Sequence, residues 1–392
     1  MNKVLRNIKK ILIIMAGDFH YNGGIENYIL LLIDLLEKYY KNFQIDIVLP
    51  SCKYEPEKIK YENVGFIYYK IYKPSSCKIS FLAKIENLWK LINNDFSVIR
   101  EFNKIKNDYD LIINSSYFCF HSTKRLSNYY LIQHIDIDKY CYKLCKPISL
   151  TEKIRKIISF MLNGSFDFFK HSKNIIVYDK FVKNEVEKVC STINIICIAL
   201  PSKIDPISIG KLLPTNRKGI IFLGRLCLQK NIDALIEINK QLNLIDFYGS
   251  AENDKGIYYK EVLLKNGRYK GQIINSEELK NTLLKYKFLI LYSTHEGFSF
   301  SLVEALSQGL PIIVKNSYLS APYLCNGKTG LLLPKDTTVE QDVELIKKFI
   351  SMPEQKYHEY QINCVNFYNE NLNINIFNQK WCSIFDKYLD KK

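Results

Sequence analysis

No apolar run in this sequence approaches the roughly 18 to 20 residues that a membrane-spanning helix needs. The basic start, Met1 to Lys10, leads into only the short apolar run Ile11 to Ala16 before Gly17-Asp18. That is too short for the apolar core of a secretion signal, so the segment reads as a first strand and the expected location is cytoplasmic. Ordered cysteine spacing is missing too. The 11 cysteines are odd in number and scattered, and the closest pair, Cys141 and Cys145, has no His or Cys companions at zinc spacing. Free thiols are expected, with neither a disulfide framework nor structural zinc. Internal repeats and low-complexity tracts are absent. Acidic residues are in deficit, giving a net charge of +15, yet no zinc finger, helix-turn-helix or RNP-type motif accompanies the excess, which sets nucleic acid aside as a partner.

What is present fits a globular chain of two domains: 392 residues exceed one ordinary core, and 47% are apolar. The charge is uneven. Met1 to Asp205 hold 31 Lys and Arg against 21 Asp and Glu, out of 55 against 40 in the whole chain. A basic half can draw anionic lipid or a phosphorylated substrate.

The most informative stretch is Glu296-Gly-Phe-Ser-Phe-Ser-Leu-Val-Glu304. It follows an apolar run, Phe288 to Tyr292, that reads as a buried strand. Ser301 and Glu304 have capping-box spacing, and Gly309 with Pro311 supplies a stop, predicting a helix over Leu302 to Gln308. The turn from Gly297 to Leu302 therefore offers unpaired amides and a partial positive charge, suited to an anion such as phosphate. Two readings fit the flanking carboxylates: Glu304 caps its own helix and Glu296 is a loop residue, or both serve a ligand.

Earlier in the chain, Ile11 to Met15 has the continuous apolar character of a parallel, doubly covered strand. Gly23-Gly24 follows, and then Ile25, Ile29, Leu32, Leu35 and Leu36 at helical spacing. Further strands are expected at Gln44 to Leu49, Leu111 to Asn114, Tyr129 to Gln133, Asn174 to Tyr178 and Ile193 to Ala199. Residues Ile79 to Ile92 form an amphipathic helix whose apolar face packs on the core or on a membrane surface. Lys143 to Lys170 is a second basic amphipathic stretch. His134 stands at a strand end before Asp136-Ile-Asp138, so the place suits a buried histidine, a functional one, or an Asp-x-Asp metal grip. After a connector at 201–218, strands are expected at Gly219 to Leu223, Leu244 to Gly249 and Tyr269 to Ile274. Arg225 and Lys230, on the turn after the first of these, read alone as surface charges.

Glu-x7-Glu inside EGFSFSLVEALSQGLPIIV resembles the donor motif of the GT-B glycosyltransferases of family GT4, glycosyl transferases group 1, of the bacterial surface-glycan type. Gly224-Arg225-Leu226 with Lys230-Asn231 is similar to a second signature, Gly23-Gly24-Ile25-Glu26 to a third, and Asn326 to Pro334 to the closing G-x-T-G-x-L turn. The likeness is strong from Gly219 to Pro334 and weak before Leu200. It implies an α/β GT-B architecture, two Rossmann-like doubly wound domains facing across a cleft. An acceptor domain would span 1–200, a linker 201–218 and a nucleotide-sugar donor domain 219–370, with 371–392 crossing back as a helix.

The resemblance also implies roles. Glu296 touches hydroxyls of the transferred sugar, Glu304 holds the ribose, and the backbone of Gly297 and Phe298 lies against the diphosphate, with Ser299, Ser301 and Leu302 lining the same turn. Arg225 and Lys230 neutralise the leaving diphosphate, Gly24 meets the donor phosphates and His134 faces the donor as a catalytic residue, in preference to a metal at Asp136 and Asp138. No metal or other cofactor is expected. The implied reaction moves a sugar from a nucleotide-diphosphate donor, a UDP-sugar first among them, with retention of configuration, to a glycan or lipid-linked acceptor in surface polysaccharide synthesis. Peripheral contact with an anionic membrane at the inner face would follow. A non-catalytic glycan-binding subunit and a nucleotide-sugar epimerase on the same fold are the alternatives. Two departures, Pro201-Ser202-Lys203 for Pro-Asn-Gly and Tyr178-Asp179 for a strand-closing Ser, bear on acceptor geometry.

Overall fold

In the computed structural model the chain divides into two compact units, residues 1–198 with 379–392, and residues 199–378. The structure describes residues 8–15, 24–50, 61–69, 81–116, 126–134, 172–189, 193–212, 216–251 and 253–392, together with isolated positions between 119 and 165. Gly23, Ile79, Asp136, Asp138, Cys141, Cys145 and most of the Lys143 to Lys170 stretch lie outside the described residues.

The first unit is built on seven strands: β1 Lys9–Ile14, β2 Phe43–Pro50, β3 Val64–Tyr69, β4 Leu111–Asn114, β5 Tyr129–Ile132, β6 Asn174–Val177 and β7 Asn194–Cys197. They run in the order β7-β6-β5-β4-β1-β2-β3, every pairing parallel. Ile11 to Ile14, Leu111 to Ile113 and Ile175 to Val177 are buried on both faces. A sheet covered on both sides selects such uninterrupted β-branched and Leu runs. Helices α1 Gly24–Tyr39, α2 Phe81–Ile105 and α3 Lys180–Val189 belong to this unit. Asp179, of the Tyr178-Asp179 departure, starts α3: its Oδ1 accepts from the N–H of Phe181 at 2.7 Å and of Val182 at 3.0 Å.

The second unit has six strands, β8 Ile220–Leu223, β9 Ile245–Tyr248, β10 Tyr269–Gly271, β11 Phe288–Leu291, β12 Ile312–Lys315 and β13 Gly330–Leu333, all parallel in the order β10-β9-β8-β11-β12-β13. Its helices are α4 Ile232–Leu242, α5 Asp254–Lys265, α6 Ser276–Leu283, α7 Phe300–Ser307, α8 Ala321–Leu324, α9 Val339–Ile350 and α10 Glu354–Asn371. A last helix, α11 Ile374–Phe385, carries the chain back into the first unit. There the Trp381 indole N–H donates to the Tyr28 hydroxyl at 3.0 Å, and the Tyr40 hydroxyl donates to Asp386 at 2.7 Å.

Both orders are those of doubly wound Rossmann sheets, the fold class the resemblance implied. In each, the direction of winding reverses beside the first strand, between β1 and β4 and between β8 and β11. At such a switch point the loops leaving the carboxyl ends of two neighbouring strands diverge and leave room for a ligand. Among the described residues no helix is long and apolar enough to cross a membrane.

Some local expectations differ from what is observed. Strand β3 went unanticipated: most of its residues are only half-buried, and VGFIYY shows no clean alternation. Helix α2 runs well past Ile92, and Ile85, Trp89 and Phe96 on one stripe of it are exposed. In the second basic stretch Ile154, Ile157 and Met161 are exposed as well, while Ile158 is half-buried. Core packing therefore does not account for these apolar side chains.

Candidate functional site

The switch point of the second unit gathers most of the singled-out residues. Strand β8 ends at Leu223, and the chain turns through Gly224 and Arg225 into a short 3-10 turn, Leu228–Lys230. Asn231 then takes a left-handed conformation, φ 52°, before α4 starts. Asn tolerates that conformation better than most residues, which is the local reason for an Asn after Lys230. The turn is packed tightly against the end of β9: a Cβ on Gly249 would lie 1.8 Å from the Gly224 carbonyl oxygen. Only a glycine allows this approach.

From the neighbouring strand β11, the chain passes through Tyr292 to Ser299 into α7. Hydrogen-bonded contacts stitch the two turns together. Thr294 N–H donates to the Gln229 carbonyl at 2.8 Å, Gln229 Nε2 donates to the His295 carbonyl at 3.0 Å, and Lys230 Nζ meets Glu296 Oε1 at 2.6 Å. Both side chains of the ion pair are nearly enclosed, 12% and 8% exposed. Lys230 is thus no free surface cation. Arg225, by contrast, is exposed and has no ion-pair partner among the described residues.

Helix α7 starts at Phe300, two residues earlier than its sequence predicts, and the expected Ser301–Glu304 capping box is absent. Ser299 occupies the N-cap position in an extended conformation without a side-chain cap. Ser301 already lies inside the helix, so its hydroxyl cannot cap and instead meets the Ser299 hydroxyl at 3.0 Å. The first-turn amides of Phe300, Ser301 and Leu302 have no preceding helical carbonyls to serve, and the partial positive charge of the helix start is unopposed by any acidic residue in that turn. Ser320 Oγ fixes the turn by donating to the Gly297 carbonyl at 3.1 Å, and Phe298 is buried beside Tyr323. Leu302 is fully buried, so only its backbone is available. The helix ends where Gly309 turns left-handed at φ 65° and the Leu310 N–H returns to the Ala305 carbonyl.

Glu304 is 6% exposed, and burial pushes its carboxyl up to about 7 against an opposing pull from Lys203. Its carboxylate accepts no hydrogen bond among the described residues. Capping does not explain this glutamate.

In the first unit Gly24 is the exposed first residue of α1. His134 follows β5 and is half-buried. Its Nε2 bonds the Ser115 hydroxyl and its Nδ1 the Tyr178 hydroxyl, with the Tyr28 ring edge-on at 5.4 Å. Burial drives its pKa down to about 3, so the ring is neutral across ordinary pH. Tyr178, of the same departure as Asp179, is therefore a hydrogen-bond partner of this histidine. Neither the His134 bonds nor the Lys230–Glu296 pair has a short-range sequence signal, because each joins segments that only the strand order makes neighbours.

Chemically, the second unit carries here an uncapped helix start suited to an anion, an ammonium shared with a carboxylate, and, without ion-pair partners among the described residues, an exposed guanidinium and a buried carboxyl. Residues 204–364 match the family described as Glycosyl transferases group 1. Over 158 residues the chain is 27% identical to the UDP-N-acetylglucosamine–peptide N-acetylglucosaminyltransferase GtfA subunit of Streptococcus pneumoniae. That match covers 38% of this chain and 31% of the relative, so it spans less than a third of the curated protein. Among solved structures, the sucrose-phosphate synthase of Thermosynechococcus elongatus shares the fold with a TM-score of 0.68 at 15% identity, covering 97% of this chain and 98% of that one. WaaG, a glycosyltransferase involved in lipopolysaccharide biosynthesis, does so with a TM-score of 0.63 at 13% identity, covering 95% and 99%.

Proposed function

We propose that this chain, whose residues 204–364 match the group 1 glycosyltransferases and whose fold is that of GT-B enzymes, transfers a sugar from a UDP-sugar to a glycan or lipid-linked acceptor, with retention of configuration. The observation that carries this reading is the uncapped start of α7 after β11, with exposed Arg225 on the turn after the neighbouring β8, the Lys230–Glu296 pair joining the two turns, and the buried Glu304 carboxyl on α7. A departing diphosphate accumulates negative charge as the bond from the sugar carbon to the phosphate oxygen breaks. Arg225, Lys230 and the first-turn amides stabilise that charge by fixed electrostatics, which needs no reorganisation at the moment of reaction. Glu304 accepts the paired hydroxyls of the ribose. Glu296, already neutralised by Lys230, orients sugar hydroxyls and does not act as a nucleophile.

For the first unit the reading keeps the roles that the resemblance implies, His134 as a catalytic residue and Gly24 as a phosphate-binding one. Its surplus of basic residues and the exposed Ile85, Trp89 and Phe96 support peripheral contact with an anionic membrane, where a lipid-linked acceptor for surface polysaccharide would sit. A peptide acceptor is the second reading, favoured by the match to peptide N-acetylglucosaminyltransferase subunits. Incubation with a panel of UDP-sugars, scoring UDP release with membrane extract, with peptide and with neither, tests both. Release that requires the extract supports the lipid-linked acceptor, and release that requires peptide supports the second reading. Release indifferent to acceptor would point to hydrolysis or epimerisation, and none from any donor would leave a non-catalytic binding protein.

A further inference from the structure

The departure at Pro201-Ser202-Lys203 falls within the second unit and is fastened to α7. Ser307 Oγ donates to Ser202 Oγ at 3.2 Å, Gln308 Nε2 donates to the Asp205 carbonyl at 2.8 Å, and the Ile207 N–H donates to the Ser307 carbonyl at 2.9 Å. Phe300, Glu304 and Ser307 recur at i, i+4 and i+7, so they line one face of the helix. Ser202 lies at the Ser307 end of that face. The Lys203 ammonium lies at the other, 5.7 Å from the centre of the Phe300 ring. Glu304 is between them.

The remaining ionisable groups packed around α7 are committed elsewhere. Arg217 donates to the Gln308 and Gly309 carbonyls at the far end, Lys315 pairs with Asp342 at 2.7 Å, and Glu296 pairs with Lys230. Tyr357 of α10 donates to the Lys287 carbonyl at 3.1 Å, and Asp205 is exposed. Tyr368 of α10 is a neutral phenol at physiological pH, burial raising it to about 12. Lys203 is the charge that opposes the burial of Glu304. A carboxyl removed from water in this way tends to take up a proton, and a protonated acid accepts a hydroxyl pair poorly.

We propose that Lys203 is a positioning residue of the donor site: held along the Phe300–Glu304–Ser307 face, its ammonium keeps the Glu304 carboxylate ionised and able to accept the ribose hydroxyls. The proposal rests on the donor reading given above. It gives the departure from Pro-Asn-Gly a role in donor binding.

Titration of UDP and of uridine into the full chain between pH 5.5 and 9 tests it, in wild type, Lys203→Met, Lys203→Arg and Glu304→Gln. In wild type, affinity for both ligands rises with pH as Glu304 ionises. In Lys203→Met the midpoint of that rise moves upward and the curves converge with wild type at pH 9. A displacement of one unit weakens binding about tenfold below both midpoints. Lys203→Arg restores the wild-type midpoint, and Glu304→Gln removes the pH dependence. A loss confined to UDP and equal at every pH would overturn the proposal, because it would mean that Lys203 touches phosphate directly. An unshifted midpoint in Lys203→Met would overturn it too, leaving the donor reading intact. If Glu304→Gln kept the wild-type curve, the donor reading itself would fall together with the proposal.

Discussion

Removing one partner of the Lys230–Glu296 pair is expected to damage stability and turnover by separate routes. The two side chains are 12% and 8% exposed and their charged atoms are 2.6 Å apart. Breaking a buried pair by deleting one partner strands the other charge and costs about 3 to 5 kcal/mol. The residual exposure here places Lys230→Met and Glu296→Gln at the low end, about 3 kcal/mol each. For a unit of this size each kcal/mol lowers Tm by roughly 2 to 4 °C, so each single variant should melt roughly 6 to 12 °C below wild type. The double variant leaves no stranded charge and should recover most of that loss. Turnover should not recover, since both groups are proposed to face the donor, and kcat/KM should stay down by about a hundredfold or more in all three variants. Scanning calorimetry of the four proteins, with UDP to mark the second-unit transition, reads the cycle. Single-variant losses that simply add, within about 0.5 kcal/mol, would refute the coupling.

Arg225→Ala should leave Tm within about 1 °C, because the side chain is exposed and unpaired among the described residues. Its kcat/KM should fall by about 100-fold to 1000-fold, as for loss of one fixed donor to a developing anion. Glu304 titrates at about 7 in the fold against 4.5 for the ordinary side chain. Its folded value is raised, so ligand-free stability is fullest below pH 4.5 and declines as pH climbs toward 7. Ligand-free Glu304→Gln should therefore be more stable than wild type at pH 8, by at most about 3 kcal/mol, with the gain fading at pH 4.5 in urea titrations. His134 runs the other way: with a folded value near 3 against 6.5, it loses stability as pH falls below 6.5, and Tyr178→Phe should cost about 1 to 2 kcal/mol by leaving a ring nitrogen unpaired.

Legibility in the sequence followed how local each cause was. Leu111–Asn114 and Phe288–Leu291 were readable because a doubly covered strand demands an unbroken apolar run. The edge strand Val64–Tyr69 is mostly half-buried, and its composition carries no such signature. The Ser301–Glu304 spacing suggested a cap, but the chain enters the helix at Phe300, which places Ser301 past the position from which a hydroxyl can cap. The carboxyl of Glu304 was thereby released for other use. Lys230 and Glu296 were each visible as motif residues. Their pairing, across 66 positions, depends on β8 and β11 lying side by side, which sequence spacing does not reveal. The same holds for Lys203, whose neighbours are set by the fastening of its segment to α7.

The claim on which the account turns is that the second-unit switch point binds a nucleoside diphosphate through charge on Arg225 and the start of α7. Calorimetric titration of UDP at pH 8 into wild type, Arg225→Ala and Glu304→Gln measures it directly. The account predicts saturable one-to-one binding by wild type, weakened about tenfold or more in each variant, with the Arg225→Ala loss shrinking for uridine and the Glu304→Gln loss persisting. Absence of UDP binding by the folded wild-type chain, or equal affinity in all three proteins, would contradict it.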